Sequence, residues 1–361
     1  MNEIISKKVL FVGPMPAPIT GQSIAFSNYV NNTRHIKYVV NTNYEMKSVY
    51  VKVINTLISL AKAILTLYVY KIDVVYITTS RSLLGSIKDI CIIALSRLRN
   101  VKIITHLHGA DFKSFRAECP SVYRNILDWA YNKIDISIIL SDGMREQYSD
   151  YDNMNIRVIS NCYDPILEKC KYPKDYHRKL RIVYLSNIMS TKGIIELVCA
   201  VKQAIAKGIS VHLKIAGNYM SDELMTKHEL IKALNNYWCE YIDYIGVVCD
   251  FEKVKLLEWA DILSLPTYYK SEAQPLCLIE GMAAGCVIIS TKHNYISDLV
   301  DDSNGILIKP GSINELLDAI IFISKNNSWV KRTQEHNIRF ARENYSLYRY
   351  VYGIDAIIDD V

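Results

Sequence analysis

Short apolar segments alternate with helix-length segments along the chain, and they do so in two series. These segments are rich in β-branched and aromatic residues, as is typical of strands in a parallel sheet that is covered on both faces. Between the two series, after Asn161, the chain is irregular and charged and contains two prolines, which indicates a linker. At 361 residues the chain is long enough for two domains with a core each. The pattern predicts two Rossmann-like, doubly wound α/β domains.

Each series contains six predicted strands. Those of the first series are Val9–Val12, Lys37–Val40, Val74–Thr78, Lys102–Thr105, Ile136–Leu140 and Arg157–Ile159. Those of the second are Arg181–Leu185, Val211–Ala216, Tyr241–Tyr244, Ile262–Leu265, Val287–Ile289 and Ile306–Ile308. We expect domains at residues 1–170 and 171–343, and a C-terminal helix at 344–361 that packs back on the N-terminal domain. Because such sheets bind ligands at the carboxyl ends of their strands, we expect the two domains to face a central cleft.

The cysteine usage and the N-terminus indicate a cytoplasmic location. The nine cysteines stand in apolar contexts without a Cys-x-x-Cys pair, a pattern typical of reduced thiols. The sequence MNEIISKKVLFVG runs almost at once into a strand, without the long apolar core and cleavage site of a signal peptide. We therefore expect no secretion.

The net charge of +5 is concentrated in the N-terminal part. Residues 1–100 hold 12 lysines and arginines against 4 acidic residues, whereas residues 171–361 hold 22 against 23. Within the basic part, Val51–Tyr70 is apolar and aromatic, but Lys62 near its centre argues against a membrane span. We predict a helix that is either buried in an α/β layer or lies on an anionic membrane surface. Nucleic-acid binding is not expected, because the basic residues are interleaved with aliphatic ones.

Two glutamates, Glu272 and Glu280, stand eight positions apart around a Pro-Leu step that precedes a helix of small residues. A loop that ends at Pro275 leaves the next amides free to bind an anion, and the helix dipole favours phosphate there. These amides are those of Leu276, Cys277 and Leu278. Carboxylates repel phosphate, so we expect the two glutamates to accept hydrogen bonds from hydroxyls on either side of a diphosphate.

Three further residues are candidates for ligand contacts. Gly21 stands in a loop between a strand and a helix and lets the backbone approach a ligand closely. Lys192 lies at a helix start, where a cation is disfavoured unless an anion binds there. His108 follows a central strand and precedes a glycine, which favours contact with a substrate. Each has an ordinary structural alternative, respectively a proline-rich turn, a solvated lysine and a buried histidine.

With these residues placed, the chain resembles family 4 of the glycosyltransferases, over most of its length and most strongly from Arg181 to Ala319. The most specific motif of that family is E-x7-E, matched by Glu272 and Glu280. Further matches are Lys192-Gly193, Ile215-Ala216-Gly217, the run Asn304 to Gly311, His108-Gly109 and the Gly21 loop. The resemblance implies the two-domain GT-B fold and a retaining reaction that requires no metal and no other cofactor.

The resemblance also implies roles for individual residues. Glu280 binds the ribose hydroxyls, Glu272 binds the transferred sugar, and Lys192 neutralises the diphosphate together with the Gly21 backbone. His108 contacts the sugar, and the backbone of residues 245–247 holds the base. The implied catalytic residues are His108, Lys192 and Glu272. The implied donor-binding residues are Gly21, Asn187, Lys192, Gly217, Gly246, Val247, Glu272, Pro275, Leu276, Cys277 and Glu280.

The sequence departs from the family pattern at three places. Asn187 stands where the family has an arginine, so one diphosphate-binding charge is missing, and Arg81 and Lys113 are candidate replacements. Ala273-Gln274 replaces a Gly-Phe step, and Asn294-Tyr295 replaces a Gly-Gly step. These changes are typical of a divergent polysaccharide enzyme or of an enzyme with reduced activity.

Two sequence motifs resemble metal sites. His106 and His108 share one face of a strand, but no third ligand has a suitable spacing. Asp150 and Asp152 imitate the Asp-x-Asp motif of metal-dependent sugar transferases, but they lie in a polar turn between a helix and a strand. We therefore expect no metal site.

The implied function is transfer of a sugar from a nucleotide diphosphate sugar, a UDP-sugar, to a glycan acceptor. The basic, apolar N-terminal part fits an acceptor on polyprenyl diphosphate and peripheral attachment to the inner face of the cell membrane. This describes an enzyme of bacterial surface polysaccharide, such as O-antigen or capsule. Two alternatives stay open, a non-catalytic nucleotide-sugar-binding protein and a GT-B sugar-nucleotide epimerase.

Overall fold

The computed structural model describes residues 6–43, 49–172, 174 and 179–361. Every predicted strand is confirmed, with ends that differ by at most two residues. The strands are β1 (Lys8–Gly13), β2 (Ile36–Asn41), β3 (Val74–Thr78), β4 (Lys102–His106), β5 (Ile136–Ile139), β6 (Ile156–Val158), β7 (Leu180–Leu185), β8 (Val211–Ala216), β9 (Ile242–Gly246), β10 (Ile262–Leu265), β11 (Val287–Thr291) and β12 (Gly305–Ile308). Residues 1–5 of the predicted N-terminus, and residues 173 and 175–178 of the predicted linker, lie outside the described residues.

The helices alternate with these strands. They are α1 (Gly21–Asn32), α2 (Val49–Val69), α3 (Leu83–Leu98), α4 (Phe112–Glu118), α5 (Ser121–Tyr131), α6 (Ile194–Ala206), α7 (Lys227–Leu234), α8 (Asp250–Trp259), α9 (Leu276–Ala283), α10 (Ile313–Lys325), α11 (Asn327–Asn344) and α12 (Leu347–Asp360). Short 3₁₀ turns connect several of them, including Pro165–Lys169 in the predicted linker and Ser190–Lys192 before α6.

The strands form two parallel sheets of six strands each, in the orders β2-β1-β3-β4-β5-β6 and β12-β11-β10-β7-β8-β9. Strands inside each sheet are largely buried, and β3 (VVYIT) and β10 (ILSL) are buried along their whole length, because helices cover both faces. The edge strand β2 is mostly exposed. The α/β architecture that the alternating pattern predicts is thus confirmed.

The chain divides into two compact units. Unit 1 comprises Met1–Asn161 and Leu347–Val361, and unit 2 comprises Cys162–Ser346. The C-terminal helix α12 is therefore part of unit 1, where the Asp355 carboxylate accepts hydrogen bonds from Tyr29 Oη at 2.8 Å and Thr33 Oγ1 at 2.6 Å. In unit 2, α10 packs on α6, and α11 packs on α9.

Helix α2 buries only one stripe of its surface. Ser59, Ala63 and Leu67 are buried, at the four-residue spacing of one helix face. Most of its other apolar side chains are exposed, for example Leu57 at 57% and Leu65 at 63%. By length and composition, Tyr50–Val69 could cross a membrane. Most of the surface of α2 is therefore exposed, and the alternative of a helix buried in the α/β layer is wrong for that part.

Candidate functional site

The turn after β7 places the Lys192 side chain. The 3₁₀ turn Ser190–Lys192 is followed by Gly193, whose φ of 74° lies in the left-handed region. A Cβ atom at Gly193 would lie 2.1 Å from the Pro266 carbonyl oxygen, so only glycine fits both the space and the backbone angle. This close approach brings the Lys192 turn against the chain that leaves β10.

Lys192 and Glu272 form a largely buried ion pair. The Lys192 ammonium lies 3.2 Å from Glu272 Oε2, and it donates a hydrogen bond to Ser186 Oγ at 2.9 Å. The contact with Glu272 lacks hydrogen-bond alignment, so among the described residues Glu272 Oε2 has no hydrogen-bond donor. Burial lowers the pKa of Lys192, but its acidic neighbours, the Glu272 carboxylate foremost, together hold that pKa above its usual value. The site thus holds a cation and an acceptor oxygen side by side.

Helix α9 begins at this pair. Pro275 is the N-cap residue, with an extended backbone and no side-chain hydrogen bond to the first turn of the helix. Leu278 N–H donates to the Pro275 carbonyl at 3.1 Å, so the prediction that this amide is free was wrong. The amides of Leu276 and Cys277 come before it in the first turn. Burial raises the pKa of the Cys277 thiol, which is therefore neutral at physiological pH.

Glu280 lies on α9 and is only 8% exposed. Its Oε1 accepts a hydrogen bond from Lys253 Nζ at 2.7 Å, and the same ammonium lies 3.1 Å from Asp164 Oδ2. Burial raises the pKa of Glu280, and Lys253 opposes that rise. Burial lowers the pKa of Lys253, but the two carboxylates leave it above its usual value. Each glutamate of the E-x7-E motif is thus paired with a lysine.

A partly buried hydrogen-bond network supports the Lys192 turn from the loop after β8. The Asp222 carboxylate accepts hydrogen bonds from Ser190 Oγ at 2.8 Å and from Thr191 N at 2.8 Å, and also from the amides of Leu224 and Met225. Burial acts to raise the pKa of Asp222, but these hydrogen bonds prevail and lower it to about 2. Asp222 therefore fixes the turn that presents Lys192.

Two glycines of unit 2 that were predicted to bind the donor, Gly217 and Gly246, lie at the ends of strands β8 and β9. Gly217 follows β8 with a φ of 147°, and a Cβ there would lie 1.8 Å from Ser186 O. Its N–H donates to the carbonyl of Gly246 at 2.8 Å, which joins the ends of β8 and β9. Beyond Gly246, Val247 is 59% exposed, as suits a backbone that is open to a ligand.

The three departures from the family pattern lie close to these residues in unit 2. Asn187 is half-buried in the turn after β7, and its carbonyl accepts from Tyr184 Oη at 2.9 Å. Ala273 and Gln274 are buried next to Glu272. Asn294 has a left-handed φ of 45°, and its amide donates to the Glu272 carbonyl at 2.8 Å. Asn294 keeps a backbone angle that suits glycine and adds a support for the Glu272 loop.

In unit 1, His108 follows β4 and stacks on His106 with ring centroids 4.0 Å apart. Burial and the nearby Arg81 guanidinium lower the pKa of His108 to about 3. The Asn161 side chain opposes this shift, although neither His108 ring nitrogen has a partner at hydrogen-bond geometry among the described residues. His106 is fully buried, and its Nδ1 lies 2.5 Å from Tyr76 Oη. Both imidazoles are neutral at physiological pH.

The remaining predicted residues of unit 1 are either exposed at the surface or paired with an acidic side chain. Gly21 is the exposed first residue of α1, which Thr20 and Ser23 cap reciprocally. Of the candidate replacements for the missing arginine, Arg81 pairs with Asp111, and Lys113 is exposed. In the part of the chain that the structure describes, no group of three His, Cys, Asp or Glu side chains is placed to hold a metal. That the reaction needs no metal stays a prediction.

Sequence reasoning missed Lys253, Asp164, Ser186 and Asp222. The sequence did contain a signal that Lys253 is buried. Leu256 and Leu257 stand three and four positions after it and therefore share its helix face, and both are buried. A lysine on an apolar face indicates a buried partner. For the contacts of Asp164 with Lys253 and of Asp222 with Ser190 no local signal exists, since those partners come from distant parts of the sequence.

Residues 179–326, which lie within unit 2, match the family model described as Glycosyl transferases group 1. The chain is also 24% identical over 303 residues to an uncharacterized glycosyltransferase of Methanocaldococcus jannaschii. That alignment covers 77% of this chain and 73% of the relative. The matched family span contains Lys192, Glu272 and Glu280.

Solved structures share the fold. The crystal structure of Anabaena HepE in complex with UDP matches with a TM-score of 0.75 at 16% identity, over 98% of this chain and 100% of that one. The same protein in complex with UDP-glucose matches with a TM-score of 0.74 at 15% identity. The lipopolysaccharide outer core galactosyltransferase WaaB matches with a TM-score of 0.66 at 14% identity, over 97% of this chain and 99% of that one. The resemblance that the motifs indicated is confirmed.

Proposed function

We propose that the chain, a glycosyltransferase of the GT-B fold, transfers a sugar from a UDP-sugar to a lipid-linked glycan acceptor with retention at the anomeric carbon. The observation that carries this proposal is the ion pair of Lys192 and Glu272 beside the start of α9, with Glu280 buried further along the same helix. This arrangement offers a cation, helix amides and two carboxylates to one ligand. A nucleotide diphosphate sugar has the matching groups, an anionic diphosphate between two sets of hydroxyls.

The donor is proposed to bind with its diphosphate between Lys192 and the amides of Leu276 and Cys277. The dipole of α9 adds about half a positive charge at that end. Glu272 accepts hydrogen bonds from the hydroxyls of the transferred sugar, and Glu280 accepts them from the ribose. The backbone around Gly246 contacts the base.

In the reaction, the bond between the anomeric carbon and the bridging phosphate oxygen breaks, and negative charge develops on that oxygen. Lys192 and the helix dipole stabilise this charge, a contribution of several kcal/mol in a dry site. The acceptor hydroxyl attacks from the same face, and its proton passes to the leaving phosphate. No protein base is required. His108, neutral because burial and Arg81 lower its pKa, is proposed to contact the transferred sugar.

Two matched proteins support the identity of the donor and the pathway class. HepE was solved with UDP and with UDP-glucose, and WaaB is a lipopolysaccharide outer core galactosyltransferase. Carried over to this chain, they favour a UDP-sugar donor and a role in bacterial surface polysaccharide, such as O-antigen or capsule. Neither assignment depends on a metal or another cofactor.

The exposed face of α2 supports a membrane location. It presents Ile54, Leu57 and Leu65 to solvent, and Lys52 and Lys62 are exposed on the same helix. An apolar surface with lysines fits the boundary between anionic headgroups and acyl chains. We propose that the enzyme is peripheral on the cytoplasmic face of the cell membrane, where a polyprenyl-diphosphate-linked acceptor is found.

A thermal-shift panel of sugar nucleotides tests the donor assignment. A nucleotide sugar at a hundred times its dissociation constant adds about 2.7 kcal/mol of stability, so the true donor raises Tm clearly. Radiolabelled donor with EDTA and polyprenyl-linked acceptors then tests transfer. Binding without transfer or hydrolysis indicates the non-catalytic alternative, epimerised donor indicates the epimerase, and no shift with any nucleotide sugar rejects the proposal.

A further inference from the structure

We propose that Lys253 is a positioning residue for the donor nucleotide, which keeps Glu280 ionised and commits one of its two oxygens, so that the other receives the ribose hydroxyls. This inference rests on the proposed function, because it concerns the same donor site. It adds a residue that lies outside the E-x7-E motif and on a different helix.

The geometry places the Lys253 ammonium between two carboxylates. Lys253 stands in the first half of α8, and its Nζ lies 2.7 Å from Glu280 Oε1 and 3.1 Å from Asp164 Oδ2. The side chains of Lys253 and Glu280 are 14% and 10% exposed, whereas that of Asp164 is 36% exposed. Glu280 and Lys253 therefore depend on each other, while Asp164 is partly solvated.

The charge balance makes Lys253 necessary for the ionised form of Glu280. The charged groups placed against Glu280 are Lys253 from α8 and Asp164 from the start of unit 2, and the neutral Cys277 thiol lies on the same helix as Glu280. Burial and Asp164 both raise the pKa of Glu280, and Lys253 alone among them lowers it. Removing the ammonium leaves the buried Glu280 carboxyl beside the Asp164 carboxylate, so the pKa of Glu280 rises further.

The two carboxylate oxygens of Glu280 differ in their hydrogen-bond partners. Oε1 accepts from Lys253, and no described residue donates to Oε2. An ionised Oε2 accepts strong hydrogen bonds from hydroxyls, whereas a protonated carboxyl accepts weaker ones. The ratio of the affinities for a ribose nucleotide and its deoxyribose analogue therefore reports whether Glu280 is ionised or protonated.

The first experiment follows Glu280 without any ligand. Protein labelled with ¹³C at the glutamate carboxyls is titrated by NMR, and the Glu280 signal is identified from its absence in Glu280→Gln. We expect Glu280 to be ionised at physiological pH in the wild type and in Lys253→Arg, and to titrate at a higher pH in Lys253→Met. A wild-type Glu280 that titrates near neutral pH overturns the inference, and so does an unshifted titration in Lys253→Met. The wild-type measurement decides even where Lys253→Met does not fold.

The second experiment compares UDP with 2′-deoxy-UDP by calorimetry at pH 6 and pH 8.5. We expect the wild type to prefer UDP about tenfold at both pH values. Lys253→Met should lose most of this preference at pH 6 and regain it at pH 8.5. The control is Lys255→Met, which removes an exposed lysine of the same helix and should behave as wild type. A purely structural role of Lys253 predicts equal weakening for both nucleotides at both pH values, and that result overturns the inference.

The two experiments separate this inference from the proposed function. If the wild type binds no UDP, the proposed donor is wrong, while the titration of Glu280 still decides whether Lys253 holds that carboxylate ionised. If the wild type binds UDP and Glu280 titrates identically with and without the lysine, the donor assignment stands and the role of Lys253 is rejected.

Discussion

The Lys192 ammonium and the Glu272 carboxylate lie 3.2 Å apart although they come from different turns of unit 2, one after β7 and one before α9. The pair is mostly shielded from solvent, with side-chain exposures of 14% and 13%. A buried ion pair is weak evidence for stability, because desolvation offsets much of the Coulombic attraction. Its position at a helix N-terminus therefore favours a functional role over a structural one.

Lys192→Ala should lower the rate of sugar transfer about 100-fold or more, because it removes the cation that faces the leaving diphosphate. The free energy of unfolding should fall as well, by about 3 kcal/mol, because removal of the ammonium leaves the buried Glu272 carboxylate without its counter-ion. Transfer kinetics and urea unfolding measure the two effects. Lys232→Ala, an exposed lysine of the same unit, is the control. Unchanged transfer rates in Lys192→Ala would refute the assignment.

Gly193→Ala should destabilise unit 2 by about 3 kcal/mol or more, because its Cβ would lie 2.1 Å from a backbone carbonyl that cannot yield cheaply. Gly208 has a similar φ, 81°, but nothing lies within 4 Å of a Cβ there. Gly208→Ala should therefore cost only the backbone strain, about 1 kcal/mol. Urea unfolding of both variants checks the difference, and equal losses would contradict the steric explanation.

His108 should make the protein less stable in mild acid. Its pKa is lowered to about 3, whereas an unfolded histidine has a pKa of about 6.5, so between these values only the unfolded state takes up the proton. The resulting stability is complete above about pH 6.5 and falls by about 1.4 kcal/mol per pH unit towards the folded pKa. His108→Gln should show a shallower loss in urea unfolding between pH 7.5 and 5. Parallel pH profiles for the two proteins would show that His108 is protonated normally.

The proposed membrane contact predicts salt-sensitive binding to anionic vesicles. Each basic residue near the surface contributes about 1 kcal/mol, so replacing Lys52, Lys62 and Lys71 by glutamine should weaken vesicle binding about 100-fold. Cosedimentation at low and high salt measures this. Glutamine at Lys227, Lys232 and Lys255, all exposed in unit 2, is the matched control and should have no effect. Equal loss in both triple variants, or no binding to anionic vesicles at low salt, would reject the contact.

The sequence predicted the strands well because most inner strands are rich in apolar and β-branched residues, as VVYIT in β3 is. It predicted the positions of Glu272, Glu280 and Lys192 through a motif. It could not predict that Glu280 is paired with Lys253 and Asp164, or that Leu278 donates its amide to Pro275. Those contacts depend on how α8, α9 and the loops before them pack in the tertiary structure, which a local sequence pattern does not report. For α2 the sequence left open whether the helix is buried or lies on a membrane surface, because hydropathy reports composition and not the neighbours that cover a helix.

Unit 1 is built from both ends of the described chain. Lys7 Nζ donates to the Ile358 carbonyl at 2.8 Å, and Asp355 ties α12 to α1. In topological terms, unit 2 is an insertion into unit 1, since one unbroken stretch, Cys162–Ser346, forms it. A gene fragment for unit 2 therefore needs two cuts and no joining. A fragment for unit 1 needs a new peptide link between Asn161 and Leu347, and a truncation that simply stops at Asn161 leaves Tyr29 and Thr33 without the carboxylate they bind.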